Sequence, residues 1–181
     1  MGQALPITVV LSAVLVTAVT DVWKFKIYNA LTLPLLITGL VYHGVVEGSV
    51  GLAGSLGGIC FGFAVLFLPY LMGGMGAGDV KLLAAIGSWL GLPFTLYVFL
   101  ASAIAAGVYA IALIVWQRNL RDTWINMKLI WLRLSAFSRH LGAEDSVEGQ
   151  VRMAQRRQRM LPFGAMVALG LIATLVWQLV Q

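Results

Sequence analysis

Charge is what this sequence has least of. Only 10% of its 181 residues are Asp, Glu, Lys or Arg, against about 25% in soluble domains. That scarcity excludes an ordinary water-facing surface. Cysteine is scarcer still: a single Cys60 excludes a disulfide framework and a cysteine-built zinc site. Set in an apolar run, it reads as a small buried or lipid-facing residue. The two histidines, His43 and His140, have no metal-ligand company in the sequence around them. No basic stretch precedes the first apolar run and no cleavage pattern follows it, so residues 3–20 are expected to remain as a helix.

What is present is apolar sequence, 60% of the chain, with a mean hydropathy of +0.92. Long apolar runs with few charges read as transmembrane helices. The expectation is an all-α, polytopic membrane protein forming one membrane-embedded domain over residues 1–181. Apolar segments fall at 3–20, 31–46, 50–72, 82–116 and 161–180. As one helix, 82–116 would be about 52 Å long, against a hydrocarbon core of about 30 Å. It must break, and Gly91-Leu92-Pro93 supplies the place, since proline removes a donor and glycine relaxes the backbone. Six helices result, the fourth of them short.

All 12 Lys and Arg fall within 21–30, 73–81 and 117–160, which a six-helix reading puts on one side. The positive-inside rule makes that side cytoplasmic and both termini external. The stretch 117–160 holds nine of these bases and four acids. Leu120, Trp124, Met127, Trp131 and Leu134 recur there at helical steps, although Ile125, Leu129 and Leu132 fall off the stripe. The reading is a basic cytoplasmic loop with a short interfacial helix, held near anionic lipid and not a nucleic-acid site.

Seven acids are present. Asp122, Glu144, Asp145 and Glu148 lie in the polar loop, and Glu47 in an external turn. Asp21 and Asp79 remain, each at the cytoplasmic end of a helix at the membrane boundary, where an ionisable group is a functional candidate. Each alone has a structural explanation, Asp21 as a helix end beside Lys24 and Asp79 as a helix cap. Together on one face they would share a proton and supply one general base and one general acid. Gly73, Gly74, Gly76 and Gly78 leave no Cβ shield beside Asp79, so that a peptide backbone has room to approach.

These residues resemble a family. Gly76-Ala77-Gly78-Asp79 matches the GxGD motif of membrane aspartic proteases, and its continuation through Lys81 and Leu82 resembles the prepilin peptidases. "DVWKFKIYNALTLPLL" is similar to that family's first aspartate followed by a basic segment, Ile, a variable residue, Asn and an apolar helix. "LPFGAMVALG" is similar to the start of its last helix. Tyr28 stands where many relatives have proline before the Asn, a departure that bears on the entry to the second helix.

The resemblance implies a leader peptidase, an aspartic-type endopeptidase that cuts prepilins at the cytoplasmic boundary of the inner membrane. Asp21 and Asp79 would be its catalytic pair, Gly76 and Gly78 would shape the loop, and Lys81, Asn29 and Pro162 match other motif positions. No metal or other cofactor is required by that chemistry. The substrate would be a prepilin with a short polar leader and a long apolar helix lying in the bilayer. Larger members add a cytoplasmic domain with paired CxxC motifs and methylate the new N-terminus. This chain resembles the compact, peptidase-only form of Flp (tight-adherence) pili, with archaeal preflagellin peptidases as the sibling class. Because leaders are basic, Glu144, Asp145 and Glu148 would join the aspartates in meeting them. A presenilin-like protease would want a tyrosine before Asp21, where Thr20 stands. A small ion- or proton-coupled transporter or pilus assembly subunit would want its acids near the midplane.

Overall fold

The computed structural model describes residues 4–24, 27–71, 75–117 and 163–180. All regular structure among them is helical: α1 (Ala4–Lys24), α2 (Asn29–Val46), α3 (Gly48–Leu71), α4 (Ala77–Gln117) and α5 (Phe163–Val180). The first four are long and apolar enough to cross a membrane, and α5 contributes a shorter apolar helix. By internal contacts the chain divides into two units, Met1–Ala106 with Pro162–Gln181, and Gly107–Leu161. The described part of the second, 107–117, is helical throughout. Pro162 and the expected loop with its interfacial helix at 117–160 lie outside the described residues, apart from the backbone of Gln117.

In the first unit α1 packs on α5 and α2 on α3. The opening segment of α4 is the hub: Val80 and every residue from Leu82 to Trp89 are buried. A helix apolar on all sides demands neighbours on all sides, which is why this one sits at the centre. Its contact with α3 is a seam of small residues. Gly51, Ser55, Gly58 and Gly62 are buried along one face of α3, and Gly58 and Gly87 meet backbone to backbone, each occupying the space where the other's Cβ would stand. Such close approach is how apolar helices gain contact when lipid offers no hydrophobic driving force between them.

Where the sequence calls for a break, α4 breaks. Gly91 has φ 70° and ψ 178°, a backbone that only glycine adopts without strain. The break leaves carbonyls without helical partners, since Pro93 has no N–H to give Trp89. Side chains supply them instead: Ser55 Oγ donates to Ser88 O at 2.7 Å and His43 Nε2 reaches Trp89 O at 2.8 Å. Trp89 Nε1 in turn donates to Leu35 O at 2.8 Å, so α2, α3 and α4 are tied at this level. Glu47 caps α2 and pairs with His43 at 3.2 Å, and Gly48 at φ 65° turns the chain directly into α3. His43 thus has a structural place, as its isolation in the sequence implied.

Thr32 is the exception to this economy. It is buried, and its Oγ1 has no hydrogen-bond partner among the described residues. Thr32→Val removes that uncompensated hydroxyl and is expected to raise the melting temperature of the purified protein by about 2–4 °C, the equivalent of about 1 kcal/mol. Thermal unfolding in detergent measures it.

Candidate active site

One end of the first unit gathers the C-terminus of α1 and the N-termini of α2, α4 and α5, and both candidate aspartates are there. Asp21 belongs to the buried stripe of α1. Val10, Val14, Thr17 and Asp21 follow one another at helical steps and are all buried, Asp21 at 7% exposure. Its carboxylate therefore points along the same face as the core residues, into protein and away from lipid. Oδ2 accepts the backbone N–H of Gly164 at 2.8 Å. Gly164 lies in the first turn of α5, where backbone N–H groups have no partner within the helix.

Asp79 is placed by the opposite route, through a helix start. It lies in the first turn of α4, and the residue in the capping position is Gly76, with Asp79 three residues in. Its Oδ2 reaches back to accept the Gly76 N–H at 3.0 Å, while its own N–H donates to Gly76 O at 3.1 Å. This is one half of a capping box, so Asp79 satisfies the helix start from inside the first turn and is not itself the cap. Asp79 is half-buried. Residues 58 positions apart in the chain thus lie at the same end of the unit, and each has one oxygen held by a glycine N–H.

The remaining sequence candidates divide clearly. Lys81 and Asn29 come together: Lys81 Nζ donates to Asn29 Oδ1 at 3.0 Å, tying the start of α2 to the first turns of α4. At Gly76 the bare Cα faces the carboxylate, since a Cβ there would stand 3.2 Å from Asp79 Oδ2. Gly78 differs from the sequence expectation of open space for a substrate. A Cβ there would stand 2.7 Å from Ile27 Cβ, so its bareness serves packing of the α1–α2 connection against α4. Gly73 and Gly74 lie outside the described residues, as does Pro162. Tyr28, the departure from the family pattern, has φ −83° and ψ 129°, close to the φ a proline ring imposes. Its carbonyl accepts from Leu31 and Thr32, and α2 starts normally. Lys24 Nζ stands 5.9 Å from the centre of its ring, within cation–π range.

Sequence reasoning quoted "LPFGAM" but singled out Pro162 and missed Gly164. The available signal was a glycine at a helix start: a Cβ on it would stand 3.0 Å from Asp21 Oδ2 and 3.3 Å from Asp21 Cβ.

The pattern of the type IV leader peptidase family matches residues 8–111, a span that contains both aspartates. The chain belongs to that family. Among curated relatives, the prepilin leader peptidase/N-methyltransferase of Aeromonas salmonicida is 39% identical over 106 residues, 55% of this chain and 36% of that protein. The leader peptidase HopD of Salmonella typhimurium is 40% identical over 92 residues, 46% of this chain and 59% of that protein. The prepilin leader peptidase/N-methyltransferase of Burkholderia pseudomallei is 32% identical over 127 residues, 66% of this chain and 40% of that protein. The chain thus spans about a third of the length of the first of these relatives and less than two thirds of the others. No solved structure matches it.

Proposed function

We propose that this chain is a leader peptidase, a membrane aspartic endopeptidase that removes the N-terminal leader of prepilins. The observation that supports this most is the placement of Asp21 and Asp79 at one end of the unit, each with one oxygen engaged by a glycine N–H and the other without a hydrogen-bond partner among the described residues. Membership in the leader peptidase family and the names of the relatives point to the same reaction.

The chemistry follows from the pair. One aspartate, ionised, takes a proton from water as the water oxygen attacks the scissile carbonyl. The other, protonated, donates to the carbonyl oxygen and stabilises the tetrahedral oxyanion. Collapse breaks the C–N bond, the carbonyl oxygen is restored, and the leaving amine takes up a proton from the pair. One water is consumed and no covalent enzyme intermediate forms. The two groups titrate as a unit, so neither role belongs to one residue.

The proposed setting is the inner membrane, crossed six times, with the break at Gly91 dividing α4 into a short fourth crossing and a fifth. From Ala77 to Gly91 that fourth helix is roughly 22 Å long, shorter than a hydrocarbon core of about 30 Å. A hub of that length keeps Asp79 at the bilayer rim, where the junction between a polar leader and an apolar substrate helix would lie. Six crossings would put every Lys and Arg on one side, which supports a cytoplasmic rim. The basic stretch 117–160 would rest on anionic lipid, and the substrate would be a prepilin of the Flp class.

Co-expression with a candidate prepilin tests this reading: a mature pilin shortened by its leader is expected, and no change in pilin mass would contradict it. In the same assay Lys81→Ala is expected to lose activity only about 2- to 10-fold, the value of one exposed hydrogen bond. Asn29→Ala is expected to cost about as much, and the double variant no more than either single one, because both remove the same bond.

A further inference from the structure

Gly164 is outside the matched family span, yet its backbone N–H bonds the Asp21 carboxylate. Three observations bear on what it does. Its N–H lies 2.8 Å from Asp21 Oδ2, and the bond is buried. It is in the first turn of α5, so this N–H has no helical carbonyl to bond and is free for a carboxylate. The helix start also places partial positive charge there, which favours an acidic partner. Finally, the missing side chain is a condition of the contact, since a Cβ would crowd Asp21 Oδ2 at 3.0 Å and Asp21 Cγ at 3.4 Å.

Gly76 does the same for Asp79 from the other helix start, at 3.0 Å. The two carboxylates are therefore treated alike: each gives one oxygen to a glycine N–H, and the other has no hydrogen-bond partner among the described residues. A carboxylate with neither oxygen held rotates about its Cβ–Cγ bond and presents water with a changing target. One that is held at a single oxygen has a fixed plane and a defined free oxygen, which is the preorganisation that general base catalysis needs.

We propose that Gly164 is a positioning residue for peptide-bond hydrolysis, its backbone N–H fixing one oxygen of Asp21 so that the other addresses the reacting water. This rests on the leader peptidase reading, and it makes the start of α5 a third component of a site otherwise built from α1 and α4.

The contact is a backbone one, so the clean perturbation is a backbone one. Cell-free synthesis into nanodiscs with glycolic acid at position 164 replaces this N–H by an ester oxygen and adds no atom beside Asp21. No helical hydrogen bond is given up at the N–H, because none is made there. Cleavage of a prepilin is expected to lose about 10- to 100-fold in kcat, the range for a hydrogen bond to a charged group, with KM changed less than about 2-fold because the substrate is not touched. The same ester at Ala165, one residue along in the same first turn, is expected to leave both constants within about 2-fold. An unchanged kcat for the ester at 164 overturns the proposal, and so does an equal loss at 165, which would mark a general weakening of the helix start. Asp21→Asn is assayed beside them. If it cleaves normally the dyad reading itself fails; if it is inactive while the ester at 164 is fully active, only the positioning role is lost.

Discussion

Asp21→Asn and Asp79→Asn should each abolish leader cleavage while leaving the protein in the membrane at normal level. The substitution is nearly isosteric and keeps an oxygen that accepts the Gly164 or Gly76 N–H, so the packing of α1 against α5 and the start of α4 survive. What it removes is the ability to exchange a proton. General acid–base assistance is worth about 10²–10⁴-fold for one group, and the two groups act on the same water and the same carbonyl. Their losses should therefore fail to add: the double variant is expected to be no worse than either single one. Processing of a co-expressed prepilin, read by the mass of the pilin, measures this. Normal cleavage by either variant would remove that residue from the mechanism.

The second large effect is structural. Gly58→Val should lower the melting temperature by about 6–12 °C, and Gly87→Val should do the same. Each Cβ would be built into the backbone of the partner residue. No rotamer relieves that clash, because what it meets is main chain and not the end of a flexible side chain. Overpacking costs about 1–3 kcal/mol even where side chains can adjust, and the upper end of that range corresponds to the predicted shift for a chain of this size. Activity should fall with stability, since the hub that α3 supports is the helix on which Asp79 is mounted. Gly54 is the internal control. It lies on the same helix with nothing within 4 Å of the space for a Cβ, and Gly54→Ala should leave the melting temperature unchanged or slightly higher.

The parts of this site that were legible in the sequence are those where lipid makes a residue costly. Asp21 and Asp79 stood out because carboxylates at a membrane boundary need a reason, and in the structure each takes a glycine N–H at the same end of the first unit. The break at Gly91 was legible for a similar reason, as an apolar run too long for one crossing contained a glycine and a proline. The structural alternative for Asp79, a helix cap, is off by three residues, since Gly76 holds that position; the boundary of a helix depends on which N–H groups find partners, and the apolar period does not mark that. Gly78 was read as open space and is packed against Ile27, because a missing side chain looks the same in sequence whether protein or substrate fills the gap. Gly164 was the largest omission. Every residue except proline has an N–H, and only the place where α5 begins makes this one free for Asp21. The buried seam of α3 was likewise hidden, since its glycines occur among other apolar residues with no pattern of charge to set them apart.

The most direct test is hydrolysis by the purified chain itself. Reconstituted in nanodiscs with a synthetic prepilin and an excess of metal chelator, it should give two products whose masses sum to that of the substrate plus one water, and the double variant Asp21→Asn/Asp79→Asn should give none. Cleavage that stops with the chelator and returns with added metal, or that proceeds equally well in the double variant, would contradict activation of water by the two carboxylates.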